Sequence, residues 1–286
     1  MKDVSRLTIW HIGPRLVRDL IAQSGRHNTS LLAAALAFYA LFSLFPLLLL
    51  LVSAAGYLLP SWNAEGALLG VVREYLPAAE DLVRKNLQQL VSARAASGIT
   101  GLVGVFWVAS NVFSVLTVTL NQIWEAPLRP QYWLQKLLGM AMVIVAGLIV
   151  LGSLTAAALA AALARSLSSL PALGWLAELL SLLSSVAFPL ATLILIALSY
   201  RLLPGTLPPW GPVLLSSFFV TALLQVVRFG FAWYVSTFGR YQLIYGALAS
   251  VIVVAFWMYL ASVIYLYGAE FAALLSGWPQ PRPPRS

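Results

Sequence analysis

Residues 31–59 read LLAAALAFYALFSLFPLLLLLVSAAGYLL and contain no charged side chain. About 20 mostly apolar residues carry a helix across the hydrocarbon core of a bilayer, so this stretch is long enough to span. The pattern returns at 137–163, 179–203, 213–236 and 247–275, and in a more polar form at 98–124. Six such stretches joined by short polar connections predict an all-α, polytopic integral membrane bundle of about six transmembrane helices. The expected organisation is a cytoplasmic amphipathic segment over 1–30, a membrane domain over 31–275, and a disordered proline-rich tail over 276–286. The membrane domain includes an outer amphipathic helical connection over 63–97.

Composition points the same way. The chain has 286 residues, of which 61% are hydrophobic and 9% charged, whereas a soluble domain carries about 25% charged residues. The net charge of +8 would suit a nucleic-acid partner in a soluble protein. Here it is expected to reflect the lysines and arginines that collect in cytoplasmic loops. With six spans both termini share a side. Lys2, Arg6, Arg15, Arg18, Arg26, Arg129, Lys136, Arg201, Arg282 and Arg285 would lie there, against Arg73, Arg84, Lys85, Arg94, Arg165 and Arg240 opposite. The bias predicts both termini inside. No cleavable signal peptide is expected, because the first apolar run is longer than a signal core.

Within the first 30 residues, Ile9, Trp10, Ile12, Leu16, Val17, Leu20 and Ile21 recur at helical spacing between charges, as in a helix lying on a membrane surface. Asn28 or Thr29 is placed to cap the helix that follows. Pro46 and Pro189 interrupt the first and fourth spans, as hinges or as static kinks. The hydroxyl of Ser43 is placed to satisfy carbonyls freed by Pro46. Gly98, Gly101 and Gly104 predict close helix contact. Ser110, Ser114, Thr117 and Asn121 form one stripe with Asn111 beside it, lining a polar path or bonding neighbouring helices.

Two charges fall inside apolar helices. Arg228 lies ~24 Å from the inner end of its span at ~1.5 Å per residue, with Gln225 one turn earlier. Its planar fork suits an anionic headgroup, or it pairs with Glu178 or reaches toward the interface. Glu270, near the inner end of the last span, reads as a gating or proton-coupling carboxylate, or as an interfacial residue paired with Arg201 or Arg26. The aromatic residues of the last span are read as packing. The chain has no cysteine and two histidines, and no P-loop, HExxH or GxSxG pattern occurs. The nine acids are scattered, which argues against metal-dependent phosphodiester cleavage. No cofactor and no metal site is expected. The expected partners are membrane lipids, anionic ones included, and not nucleic acid; a homo-oligomer is left open.

Three stretches carry a resemblance: His27-Asn28-Thr29-Ser30 with AAALAFYALFSLFPLLLLL at 33–51, LTVTLNQIWEAP at 116–127, and Tyr245-Gly246-Ala247-Leu248 running through WMYLASVIYLYGAEFAALL at 257–275. In this order they resemble the YihY/BrkB family of bacterial inner-membrane proteins, once mislabelled as ribonuclease BN. The resemblance implies about six spans and a role in envelope integrity, with transport of lipid or lipopolysaccharide precursors proposed for some members. By motif it points to Phe38, Tyr39, Pro46, Asn121, Trp124, Tyr245, Gly246, Gly268, Ala269 and Glu270. The function expected is a flippase-like carrier of an anionic envelope lipid; the alternative is a non-transporting structural or assembly factor. Arg228, Gln225, Asn111, Ser114, Thr117 and Asn121 would contact cargo, and Glu270, Pro46, Pro189 and Gly246 would gate or couple.

Overall fold

The computed structural model of the chain describes residues 9–58, 104–126, 132–167, 173–237 and 247–277, with isolated positions at 66, 69, 70, 73 and 84. Most of the connection expected over 63–97, Tyr245 and Gly246, and the tail from 278 lie outside the described residues. The helices are α1 (Ile9–His27), α2 (Thr29–Leu58), α3 (Asn111–Ile123), α4 (Tyr132–Leu167), α5 (Gly174–Leu202), α6 (Trp210–Thr237) and α7 (Ala247–Leu275). A turn at Ser110 joins α3 to a helical lead-in that starts at Gly104. No strand occurs among the described residues.

Five helical segments are long and apolar enough to cross a membrane: 104–123, 133–167, 174–202, 210–234 and 251–275. A bent pair, Val17–His27 and Thr29–Leu44, makes up to six. At 30 residues, α2 exceeds by itself the ~20 that a crossing needs. We therefore place α1 outside the spans, turned away from α2 by 64°. The break falls at Asn28, whose φ of 53° is a left-handed conformation that asparagine tolerates. The Asn28 carbonyl accepts the Leu32 amide at 3.1 Å, starting the ladder of α2. Thr29, expected as a possible cap, instead donates its hydroxyl to Glu270. On α1, Val17 and Ile21 are exposed whereas Gln23, Ser24 and His27 are buried. The helix turns Gln23, Ser24 and His27 to the bundle and leaves Val17 and Ile21 outward beside Arg18 and Asp19.

The bundle core mixes large and small side chains, and Leu120, Trp124, Tyr200, Leu203 and Leu266 are buried in it. Ala33, Ala197, Ala269, Ala272 and Ala273 are buried, while Leu182, Leu190, Phe218, Phe229 and Trp233 are exposed. Large apolar side chains also face outward because lipid tails solvate them as well as protein does, leaving close packing and hydrogen bonds to hold helices together. α7 is the hub and touches α1, α2, α3 and α6. At Gly268 an added Cβ would collide with Val220 Cγ2 and stand 2.7 Å from the Tyr200 hydroxyl. Around it the Ser216 hydroxyl donates to the Gly268 carbonyl, the Tyr200 hydroxyl donates to the Tyr265 carbonyl, and Ser199 and Tyr265 share a hydrogen bond of 2.7 Å.

Two packing expectations change. Of the three glycines expected to pack closely, Gly98 and Gly101 lie outside the described residues; Gly104 has no atom within 4 Å of an added Cβ, whereas Gly139 of α4 approaches α3 closely, with the Ser110 carbonyl oxygen at 3.1 Å from its added Cβ. Ser43 donates to the Val108 carbonyl at 3.3 Å, joining α2 to the lead-in of α3 rather than serving its own helix below Pro46. Gly268→Ala should lower stability in detergent by about 1–3 kcal/mol through overpacking. Gly104→Ala should stay within about 0.5 kcal/mol of wild type. Thermal unfolding followed by circular dichroism compares the two.

Candidate functional site

The three motif stretches, far apart in sequence, meet at one end of the bundle. The Glu270 carboxylate has 0% side-chain exposure, and His27 Nδ1 lies 2.8 Å from its Oε1. The Thr29 hydroxyl donates to the same oxygen at 3.0 Å. The other oxygen, Oε2, is buried with no hydrogen-bond partner among the described residues. Gln122, at the end of α3, donates to the His27 carbonyl at 3.0 Å. Its neighbour Asn121 accepts the Gly205 amide at 2.6 Å, fastening the α5–α6 turn to the same junction. Trp124 is fully buried beside them.

Glu125 reaches His27 from another side, with Oε1 3.7 Å from Nε2. Its position follows from how α3 ends. The Ala126 amide bonds the Asn121 carbonyl at 2.8 Å and the Glu125 amide bonds the Gln122 carbonyl at 3.2 Å. This is a Schellman ending, in which glycine usually takes the left-handed position. Here Glu125 takes it, with φ 46°. A glutamate there carries backbone strain and sits at the negative end of a helix dipole. Two carboxylates from different elements thus face one imidazole. The hydrogen bond to Glu270 and the charges of Glu270 and Glu125 raise the His27 pKa above its ordinary value, against opposing effects of burial and Arg26. Among the described residues no three His, Cys, Asp or Glu side chains are placed to share a metal ion.

The structure revises the partner expected for Glu270: it is held by His27 and Thr29, not by Arg201 or Arg26. Arg201 lies 5.3 Å over the Trp210 ring. The Arg228 guanidinium lies 4.7 Å over the ring of Phe229, and both Arg228 and Gln225 are half-buried. Of the α3 stripe, the Ser114 hydroxyl donates to the Ser110 carbonyl and the Thr117 hydroxyl to the Phe113 carbonyl, turned back on their own helix. Asn111 accepts from Lys136 Nζ at 2.6 Å. Asn121 is the stripe residue that joins the junction. Pro46 and Pro189 lie within continuous helices α2 and α5, both half-buried, and Gly246 lies outside the described residues.

Lys136 needs the largest correction. Counted above as a loop cation, it is 3% exposed and sits between α3 and α4. It donates to the Trp107 carbonyl at 2.9 Å and lies 4.4 Å over the Trp107 ring. His27 was not among the sequence candidates. Its signals in the sequence were its place at the head of an uncharged span and at the start of the first motif stretch, His27-Asn28-Thr29-Ser30.

Helices of this length and polarity define a polytopic α-helical membrane protein. The chain belongs to the family described as Virulence factor BrkB, which matches residues 20–284. It is similar to a UPF0761 membrane protein of Alteromonas mediterranea, 31% identical over 93% of this chain and 90% of that protein. A UPF0761 membrane protein of Vibrio vulnificus is 28% identical over 92% of this chain and 83% of its own length. A ribonuclease-like protein, YfkH, of Bacillus subtilis is 26% identical over 91% and 94%. No solved structure matches the chain.

The charge on His27 makes stability depend on pH. Because its pKa is raised in the folded protein, the stabilisation is full below the ordinary histidine value of about 6.5. It is lost as pH rises through the folded value. Unfolding temperatures measured across that window should fall for the wild type and stay level for His27→Gln. Thr29→Val should cost about 1.5–3 kcal/mol, as for loss of a hydrogen bond to a charged group.

Proposed function

We propose that this protein is a bacterial inner-membrane protein of envelope integrity that carries an anionic envelope lipid, with both termini inside. The observation that carries the reading is a cleft of about 320 Å³ between α2, the α3 segment and α4, lined by apolar side chains that include Leu47, Leu51, Phe106, Phe113, Val143 and Leu151. Its volume falls in the range of ligand pockets, ~300–1,000 Å³, and its lining suits an acyl chain. Lys136 lies seven residues, about two turns, before Val143 on the same α4 face. The partners shown for its ammonium are a carbonyl, an amide oxygen and an indole. These groups are neutral and leave positive charge near the cleft, which favours an anionic headgroup. Neither Arg228 nor Gln225 lines the cleft; on α6 they offer a separate headgroup contact. The reading assigns no catalytic step.

The non-transporting alternative draws support from the α3 stripe, whose hydroxyls and amides are used inside the bundle. Lipid kept through purification, without movement between leaflets of proteoliposomes, would select it. For the carrier reading, Gly147→Phe should fill the cleft, because Gly147 faces Leu51 there at 3.8 Å. Retention of anionic phospholipid, read by native mass spectrometry, should fall about tenfold, or ~1.4 kcal/mol. Unchanged retention in this variant would remove the cleft from the function, and unchanged retention in Arg228→Ala would remove the arginine.

A further inference from the structure

We propose that His27, Glu270 and Glu125 form a proton-binding site that latches α1 to the bundle, so that loss of one proton releases α1 from α7. The inference stands independently of any lipid cargo.

The geometry supplies both halves of a latch. The hinge half is the α1–α2 break, where Asn28 has positive φ and the chain bends by 64°. The fixed half is Glu270 on the hub helix, fully buried with one oxygen held by His27 and Thr29 and the other without a partner among the described residues. A buried carboxylate is costly unless a cation or proton meets it. His27 in its charged form provides that cation. When the imidazole becomes neutral, the carboxylate loses its cation and gains water by opening of the junction. Opening on the α1 side follows the bend already present at Asn28 and gives up the bond from Gln122 to the His27 carbonyl.

Glu125 sets where this happens. It stands at a strained, dipole-disfavoured position, which becomes intelligible if its carboxylate is wanted near Nε2. Among the described residues the charged groups acting on the imidazole are Glu270 from α7, Glu125 after α3, and Arg26 on its own helix. The two acids favour the proton and Arg26 opposes it. Released α1 would keep Val17 and Ile21 on the membrane surface while freeing Gln23, Ser24 and His27.

The chain has no cysteine, so introduced thiols are the only ones. Spin labels at Ile21→Cys on α1 and Leu207→Cys in the α5–α6 turn, both exposed sites, report docking in the full-length protein in nanodiscs. Pulsed dipolar spectroscopy should give one narrow distance at about pH 5.5. A broad, longer distribution should appear at about pH 9, well above the ordinary histidine value of about 6.5. His27→Gln should be broad at both. Glu125→Gly suits the left-handed position and should keep both end states while moving the transition to lower pH. A pH-independent distance in the wild type, a transition that persists in His27→Gln, or an unmoved midpoint in Glu125→Gly would overturn the latch. If His27→Gln fails to fold, the Glu125→Gly midpoint decides alone.

Discussion

Hydrocarbon gives helices little reason to hide large side chains from it, so they must hold together by close contact and hydrogen bonds. α7 meets this constraint along one face. Gly268 admits Val220 and Tyr200, and Ala269, Ala272 and Ala273 are buried against neighbouring helices. The hydroxyls of Ser216 and Tyr200 reach its backbone carbonyls. Exposed leucines and phenylalanines on α5 and α6 follow from the same physics, since lipid is their solvent.

Glu270 sits within this tight face, and its setting explains why the termini of several helices gather there. A carboxylate with no exposure must find donors from protein. His27 and Thr29, on either side of the α1–α2 break, supply them. The end of α3 completes the junction through Gln122 and Glu125, and the turn between α5 and α6 is tied in through Asn121. Strain is concentrated here too: the positive-φ non-glycine residues among the described ones are Asn28 and Glu125, both at this junction. Such strain persists when surrounding contacts over-determine the backbone, as they do at ligand sites and switches.

The apolar cleft between α2 and α4 is a separate feature, facing a different set of helices from Arg228. Its neighbour Lys136 shows how a charge near the start of an apolar helix can be drawn inward when a tryptophan ring, a carbonyl and an amide are ready to receive it. A hydropathy plot places such a lysine in the loop, because it scores the residue against water and lipid and cannot score it against Trp107 and Asn111.

The number and length of the apolar helices, the amphipathic α1 and the membrane class were legible in the sequence, because solvation by hydrocarbon is a local property summed over about 20 residues. The α7 limits of 247–275 match the expectation, and the family motifs already contained Asn121, Trp124 and Glu270. Which polar groups pair was not legible. His27 and Glu270 are 243 positions apart, and no spacing rule connects them. The stripe on α3 was visible as a stripe, yet only packing decided that Ser114 and Thr117 bond back, that Asn111 holds Lys136 and that Asn121 holds Gly205. Sequence alone determined the solvent this chain folds in, because each segment meets lipid or water by itself. The tertiary structure alone decided which buried charge meets which partner, because that depends on the register of helices that share no local signal.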